Sequence, residues 1–189
     1  NSNYKRIIGK NNSIMSIYID NCKYIYEIEE INDHFLISYN DNAEMTRVIY
    51  HQKHLNILQQ QKFYNDINVL FLQSNNIKTF PNILPTNLNE LYINSTLIES
   101  ITTSFPQSLT TLYITQTPIT SLGKNIFNDN KDTIKEIVFD MNYLSEFPKV
   151  QFSKLSHVIV KNTNIKDIDK SYLQNEEIKM EIDEDITVN

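Results

Sequence analysis

Residues 67–80 read Ile67-Asn68-Val69-Leu70-Phe71-Leu72-Gln73-Ser74-Asn75-Asn76-Ile77-Lys78-Thr79-Phe80. Leu70 and Leu72 alternate with Val69, Phe71 and Gln73, the period of a short strand with one face buried. A polar run, Ser74-Asn75-Asn76, then turns the chain before Ile77 and Phe80 return to apolar character. The same phrase recurs. Leu88, Leu91, Ile93, Thr96, Ile98 and Ile101 repeat it, as do Leu109, Leu112, Ile114, Thr117, Ile119 and Leu122. Further copies run from Ile134 (Ile137, Phe139, Asn142, Leu144, Phe147) and from Leu155 (Val158, Val160, Thr163, Ile165, Ile168). A weaker first copy reads Met45, Val48, Tyr50, Lys53, Leu55 and Leu58, so copies start at 45, 67, 88, 109, 134 and 155. The periods are 22, 21, 21, 25 and 21 residues.

A second column strengthens the repeat. Phe63, Leu84, Phe105, Phe127, Phe152 and Leu173 each follow the last motif position of their copy by four or five residues. One such unit cannot bury its apolar face alone, but stacked neighbours can. The expected fold is an α/β solenoid, mostly β, with strands aligned in a parallel sheet. In the column of Asn75, Thr96, Thr117, Asn142 and Thr163, side chains turned inward would satisfy the backbone of the adjacent turn, whereas Lys53 at the same position of the first copy breaks the pattern. The linking segments contain Pro85 and Pro106, each three residues before a motif leucine, which suits extended or polyproline-like backbone. Gly123 to Thr133, in the long repeat, has room for a helical turn.

The pattern L-x-x-L-x-L-x-x-N-x-L over 45–168 resembles the leucine-rich-repeat family. The phrasing Pro85-Thr86-Asn87-Leu88 and Pro106-Gln107-Ser108-Leu109 resembles its short-repeat subclass, found in some bacterial effectors and protozoan proteins. The resemblance implies a right-handed superhelix with a concave parallel sheet and extended or 3₁₀ convex segments. It also implies a non-catalytic module that binds a protein partner on the concave face. Two alternatives stay open: a recognition domain of a larger effector or signalling enzyme (ubiquitin ligase, kinase or phosphatase), and an extracellular adhesion or sensing protein.

The chain divides into an irregular N-terminal region (1–44), the repeats (45–174) and a partial final repeat with an acidic tail (175–189). In the first part, Ile14, Ile17, Ile19 and Cys22 have the spacing of a strand motif, and Tyr24–Glu29 with Phe35–Tyr39 around Asn32-Asp33 reads as an inserted hairpin or an irregular turn. In the last, Ile178 and Met180 keep the strand phase, and Glu181 to Asp185 reads as a solvated cap.

Composition narrows the function classes. The chain has 189 residues with Lys+Arg 17 against Asp+Glu 23, a formal charge of -6. That balance argues against nucleic acid as a partner. No run of 18 apolar residues suggests a membrane span. A lone Cys22 cannot form an internal disulfide, so a cytoplasmic protein is expected, with a cell-surface or secreted one as the alternative; a monomer is expected as well. The absence of Met at position 1 suggests a fragment. Sequons at Asn11 and Asn94 leave glycosylation open.

No catalytic set emerges. His51-x-x-His54 has chelating spacing but lacks further ligands, and Asp129 to Asp132 lacks the glycine and terminal glutamate of a calcium loop. Gly123-Lys124 is no phosphate loop, and Cys22 has no patterned histidine. Neither a metal nor another cofactor is expected, nor enzymatic turnover. The outward strand positions carry more information. The central file reads Ile49, Phe71, Tyr92, Tyr113, Val138, Ile159 and Lys179. Arg47, Val69, Glu90, Thr111, Glu136, His157 and Glu177 lie on one side, and His51, Gln73, Asn94, Thr115, Asp140, Lys161 and Glu181 on the other. Aromatic residues framed by polar files suit protein binding. The candidate contact residues are Phe71, Tyr92, Tyr113, Gln73, Asn94, Thr115, Glu90, Val138, Asp140 and His157.

Overall fold

The computed structural model describes residues 5–8, 14–17, 25–31, 34–41 and 44–189, with side chains from residue 46 onward. In chain order the strands begin with β1 (Lys5–Ile8), β2 (Ile14–Ile17), β3 (Ile25–Ile31), β4 (His34–Asp41) and β5 (Glu44–Ile49). Helix α1 (Gln52–Leu58) follows, then β6 (Val69–Gln73), β7 (Glu90–Asn94), β8 (Ser100–Ile101), β9 (Thr111–Thr115) and β10 (Ser121–Leu122). The chain continues through β11 (Glu136–Asp140), β12 (His157–Lys161), β13 (Asp167–Ile168), β14 (Lys179–Ile182) and β15 (Thr187–Val188). One nine-stranded sheet has the order β14-β12-β11-β9-β7-β6-β5-β4-β3. From β5 to β14 its seven strands are parallel, one per turn of a β-solenoid. β3 and β4 add an antiparallel hairpin at the β5 edge.

The repeat spacing explains the interior. Leu70, Leu91, Leu112, Ile137 and Val158 stand side by side in the sheet, as do Leu72, Ile93, Ile114, Phe139 and Val160, and all are buried. Behind them the phenylalanine column closes the core. Phe105 and Phe127 have ring centroids 5.1 Å apart, and Phe127 and Phe152 are 5.4 Å apart, both edge-on. That is the arrangement aromatic quadrupoles favour. Each buried aliphatic or aromatic side chain contributes about 1.5–3 kcal/mol, which continuous columns need to offset ordering entropy.

Backbone groups at the corners are satisfied between turns. Ser95 N–H donates to Thr115 O (3.2 Å), Gln116 N–H to Asp140 O (3.0 Å) and Met141 N–H to Lys161 O (3.1 Å). Each donor has φ of 51–52°, as does Asn162. This left-handed conformation costs roughly 1–2 kcal/mol for a residue with a side chain, and the cross-turn bonds hold it. Asn162 N–H, in the last such corner, donates to the Asp183 carboxylate at 2.6 Å. Hydroxyls extend the same logic: Ser108, Thr110, Thr133 and Ser156 donate to carbonyls one turn back.

The inward polar column holds in part. Asn142 Nδ2 donates to Ile114 O at 3.0 Å and its Oδ1 accepts from Leu144 N–H, and Thr96 and Thr163 accept from Ile98 N–H and Ile165 N–H, but the buried Thr117 hydroxyl makes no hydrogen bond among the described residues. Asn75 is exposed, contrary to expectation; the Ser74 hydroxyl accepts from Asn76 N–H and makes this corner locally. The first copy lies one residue out of the expected register, because Val48 rather than Ile49 pairs with Phe71. Gln52 therefore takes the column position assigned to Lys53, and its Oε1 accepts from Lys78 N–H and Thr79 N–H, both at 2.9 Å. Arg47 takes a leucine's place in the core, its guanidinium 4.8 Å from the centre of the Phe63 ring.

Other departures follow from competing local structure. The first linking segment holds α1, and His51 caps it, its Nδ1 accepting from Lys53 N–H at 3.1 Å. Gly123 to Thr133 forms successive tight turns, with Ile126, Asn128, Asn130 and Thr133 N–H each donating to the carbonyl three residues back, rather than a regular helix. Leu88 N–H reaches Pro85 O and Leu109 N–H reaches Pro106 O, so each proline opens a tight turn into the next strand. The Ile14–Ile17 stretch pairs antiparallel with β1 instead of joining the parallel stack; Cys22, Ile19 and Asn11 lie outside the described residues. At the far end Met180 pairs with Val158 and Ile182 with Val160, two residues beyond the expected phase. Residues read as a solvated cap thus build β14 and its ties. Glu181 accepts from Lys161 at 2.9 Å, Asp185 pairs with Lys166, and Ile186 is buried. Among the described residues, no helix is long and apolar enough to cross a membrane.

Leu91 stands between Leu70 and Leu112 with no exposure. Leu91→Asp places an unpaired carboxylate between turns, which costs several kcal/mol. Thermal denaturation should show it unfolded or melting many degrees lower. Melting within a degree or two of the parent would overturn this register.

Candidate binding surface

Parallel in-register strands bring position-equivalent residues together every 4.7–4.9 Å. Phe71, Tyr92 and Tyr113 are register partners on β6, β7 and β9, on the face turned away from the leucine columns. The Phe71 and Tyr92 rings stack, with centroids 4.4 Å apart and planes 7° from parallel. Tyr92 and Tyr113 follow at 4.8 Å, tilted by 41°. Val138 and Ile159 continue the file on β11 and β12, with Val138 buried. The strip is half-buried by its own stacking. Tyr92 is therefore a packed residue, and its truncation carries a stability cost.

Both phenols are tied to the neighbouring acidic file. Tyr92 O–H donates to Glu90 Oε2 at 2.7 Å within its own strand, while Tyr113 O–H donates to Glu136 Oε1 at 2.8 Å across to the next. His157 Nδ1 shares that oxygen at 2.9 Å. Burial, then the hydrogen bond to Glu136, pushes the Tyr113 phenol up to about 12. Burial and the Glu90 carboxylate push Tyr92 higher still. Both tyrosines stay neutral donors at physiological pH.

The opposite file is a hydrogen-bonded rail. Thr115 Oγ1 donates to Asn94 Oδ1 (3.1 Å), Ser95 Oγ bridges to Gln116 Oε1 (2.8 Å), and Asn162 Nδ2 donates to Asp140 Oδ1 (2.9 Å). Gln73 is exposed at the β6 end of this rail. The ten candidate residues thus fall on one face of β6 to β12, in three adjacent files. At the ends the expected files shift: Val48 replaces Ile49 in the centre and Glu181 replaces Lys179.

Two features were missed. Glu136 lay in the flanking file, but nothing in its spacing marked it as the shared acceptor of Tyr113 and His157. The corners after β7 and β11 also carry exposed apolar residues, Leu97 (43% exposed) and Met141 (52%) with Tyr143 (59%). His51 and His54 sit at the cap and within α1, ring centroids 5.9 Å apart. Among the described residues, no group of three or more His, Cys, Asp or Glu is placed to hold a metal ion.

The tyrosine ties fix an alkaline response. A folded phenol value above the unfolded one near 10 contributes stability that is complete below pH about 10. That contribution is lost as pH climbs through the folded value. Ultraviolet titration should show Tyr113 ionising close to 12, a step absent from Tyr113→Phe; ionisation near 10 would contradict the Glu136 bond.

No family model and no curated protein matches the chain, so the surface is read from its own residues.

Proposed function

We propose that this chain is a leucine-rich-repeat interaction module that binds a protein partner on the outer face of its parallel sheet. The observation that carries this reading is the strip of Phe71, Tyr92 and Tyr113, stacked at 4.4 and 4.8 Å. It lies between a carboxylate file and a hydrogen-bonded amide and hydroxyl file. Rigid aromatics present large area at small entropic cost, and interface energy concentrates in such central residues. The carboxylates and amides around them supply the polar rim that fixes register. The surface acts by recognition, without a chemical step. Its repeating 21-residue pitch suits an extended or helical partner that meets several strands at once.

The test is a binding measurement on a partner isolated with the immobilised chain. Because Tyr92 is packed, Tyr92→Ala is paired with Gln73→Arg and Asn94→Arg, which add bulk at the rim without touching the core. Each should weaken binding at least tenfold, while Lys149→Ala and Tyr143→Ala leave it within about twofold. An affinity that ignores the strand-face variants and follows Tyr143 or Lys149 would refute the proposal.

A further inference from the structure

We infer that the partner presents a basic segment that seats an arginine side chain over Thr111, between Glu90 and Glu136. This rests on the sheet face being the binding surface. In the sheet, Glu90, Thr111 and Glu136 are consecutive register partners on β7, β9 and β11. Their backbones span two strand spacings, roughly 10 Å. Thr111 is the shortest side chain of the three and stands between two longer carboxylates, with Tyr92 and Tyr113 in the adjacent file.

Charge fixes the occupant. From residue 46 onward, the outward positions on β5, β6, β7, β9 and β11 are Thr46, Val48, Val69, Phe71, Gln73, Glu90, Tyr92, Asn94, Thr111, Tyr113, Thr115, Glu136, Val138 and Asp140. They hold three carboxylates and no cation. The cations on the face lie beyond, where Lys161 is paired with Glu181 and Lys179 stands beside His157. Each glutamate gives one oxygen to a tyrosine, Oε2 in Glu90 and Oε1 in Glu136. The other oxygen of each has no hydrogen bond among the described residues and points the site toward an external donor. A guanidinium meets both demands: its planar fork of donors serves two carboxylates, and its face lies favourably on a tyrosine ring. A partner with an acidic segment would meet Glu90, Glu136 and Asp140 as like charges.

The experiment uses a random twelve-residue peptide display library panned on the immobilised chain, followed by synthesis and fluorescence titration of the enriched peptides. Arginine-bearing peptides should dominate. Their affinity should fall at least tenfold with Glu90→Gln/Glu136→Gln, and by a similar factor when the peptide arginine becomes alanine. Thr111→Arg sets a guanidinium between the two carboxylates from within the chain, so it should block binding while leaving the melting temperature unchanged or higher. Peptides that lack cations yet lose affinity with Asn94→Arg would overturn the inference and leave the sheet face standing as the binding surface. Peptides indifferent to every strand-face change would remove both. A library that yields no enriched peptide would overturn the inference as well.

Discussion

Each turn of this chain shields its leucines with the turn before and the turn after, while the phenylalanine column closes the core behind them. The backbone bonds of the parallel sheet and the corner bonds from Ser95, Gln116 and Met141 hold that stacking in register. Everything else depends on this contact between neighbours. The phenylalanine column, the buried Asn142 amide and the left-handed corner residues all act across one turn spacing. At the last turn the same demand is met by side chains, with Asp183 standing where a further carbonyl would be.

The same spacing that buries the leucines builds the outer surface. Side chains equivalent by repeat are held within contact distance, so Phe71, Tyr92 and Tyr113 form a stack rather than three isolated rings. Stacking partly dehydrates the phenols, and they turn their hydroxyls to Glu90 and Glu136. The result is a stacked aromatic strip with acceptors fixed along one edge. The Glu136 link to His157 carries that order onto β12.

Much of this was legible in the sequence because the apolar period of 21–25 residues leaves one consistent stacking arrangement. Once Leu91 is inward, Tyr92 must be outward. The interior columns, the parallel sheet and the aromatic file follow from that parity. What escaped depends on single side chains rather than period. Arg47 occupies a leucine position, so the first copy aligned one residue late and hid the role of Gln52. The four left-handed corners carry Ser, Gln, Met and Asn, where a glycine signal would have announced them. His51 suggested a ligand by its spacing, yet it ends as a helix cap. Asp183 and Asp185 looked like a solvated charge run because their partners, Asn162 and Lys166, are about one turn away in sequence.

The parity that puts the aromatic strip on one face and the phenylalanine column inside is most directly tested by ring-to-ring nuclear Overhauser effects in a sample with labelled Phe and Tyr. The account predicts cross-peaks for Phe71 with Tyr92 and Tyr92 with Tyr113, and a separate chain linking Phe105, Phe127 and Phe152. A cross-peak joining Tyr92 to Phe105, or none between Phe71 and Tyr92, would contradict it.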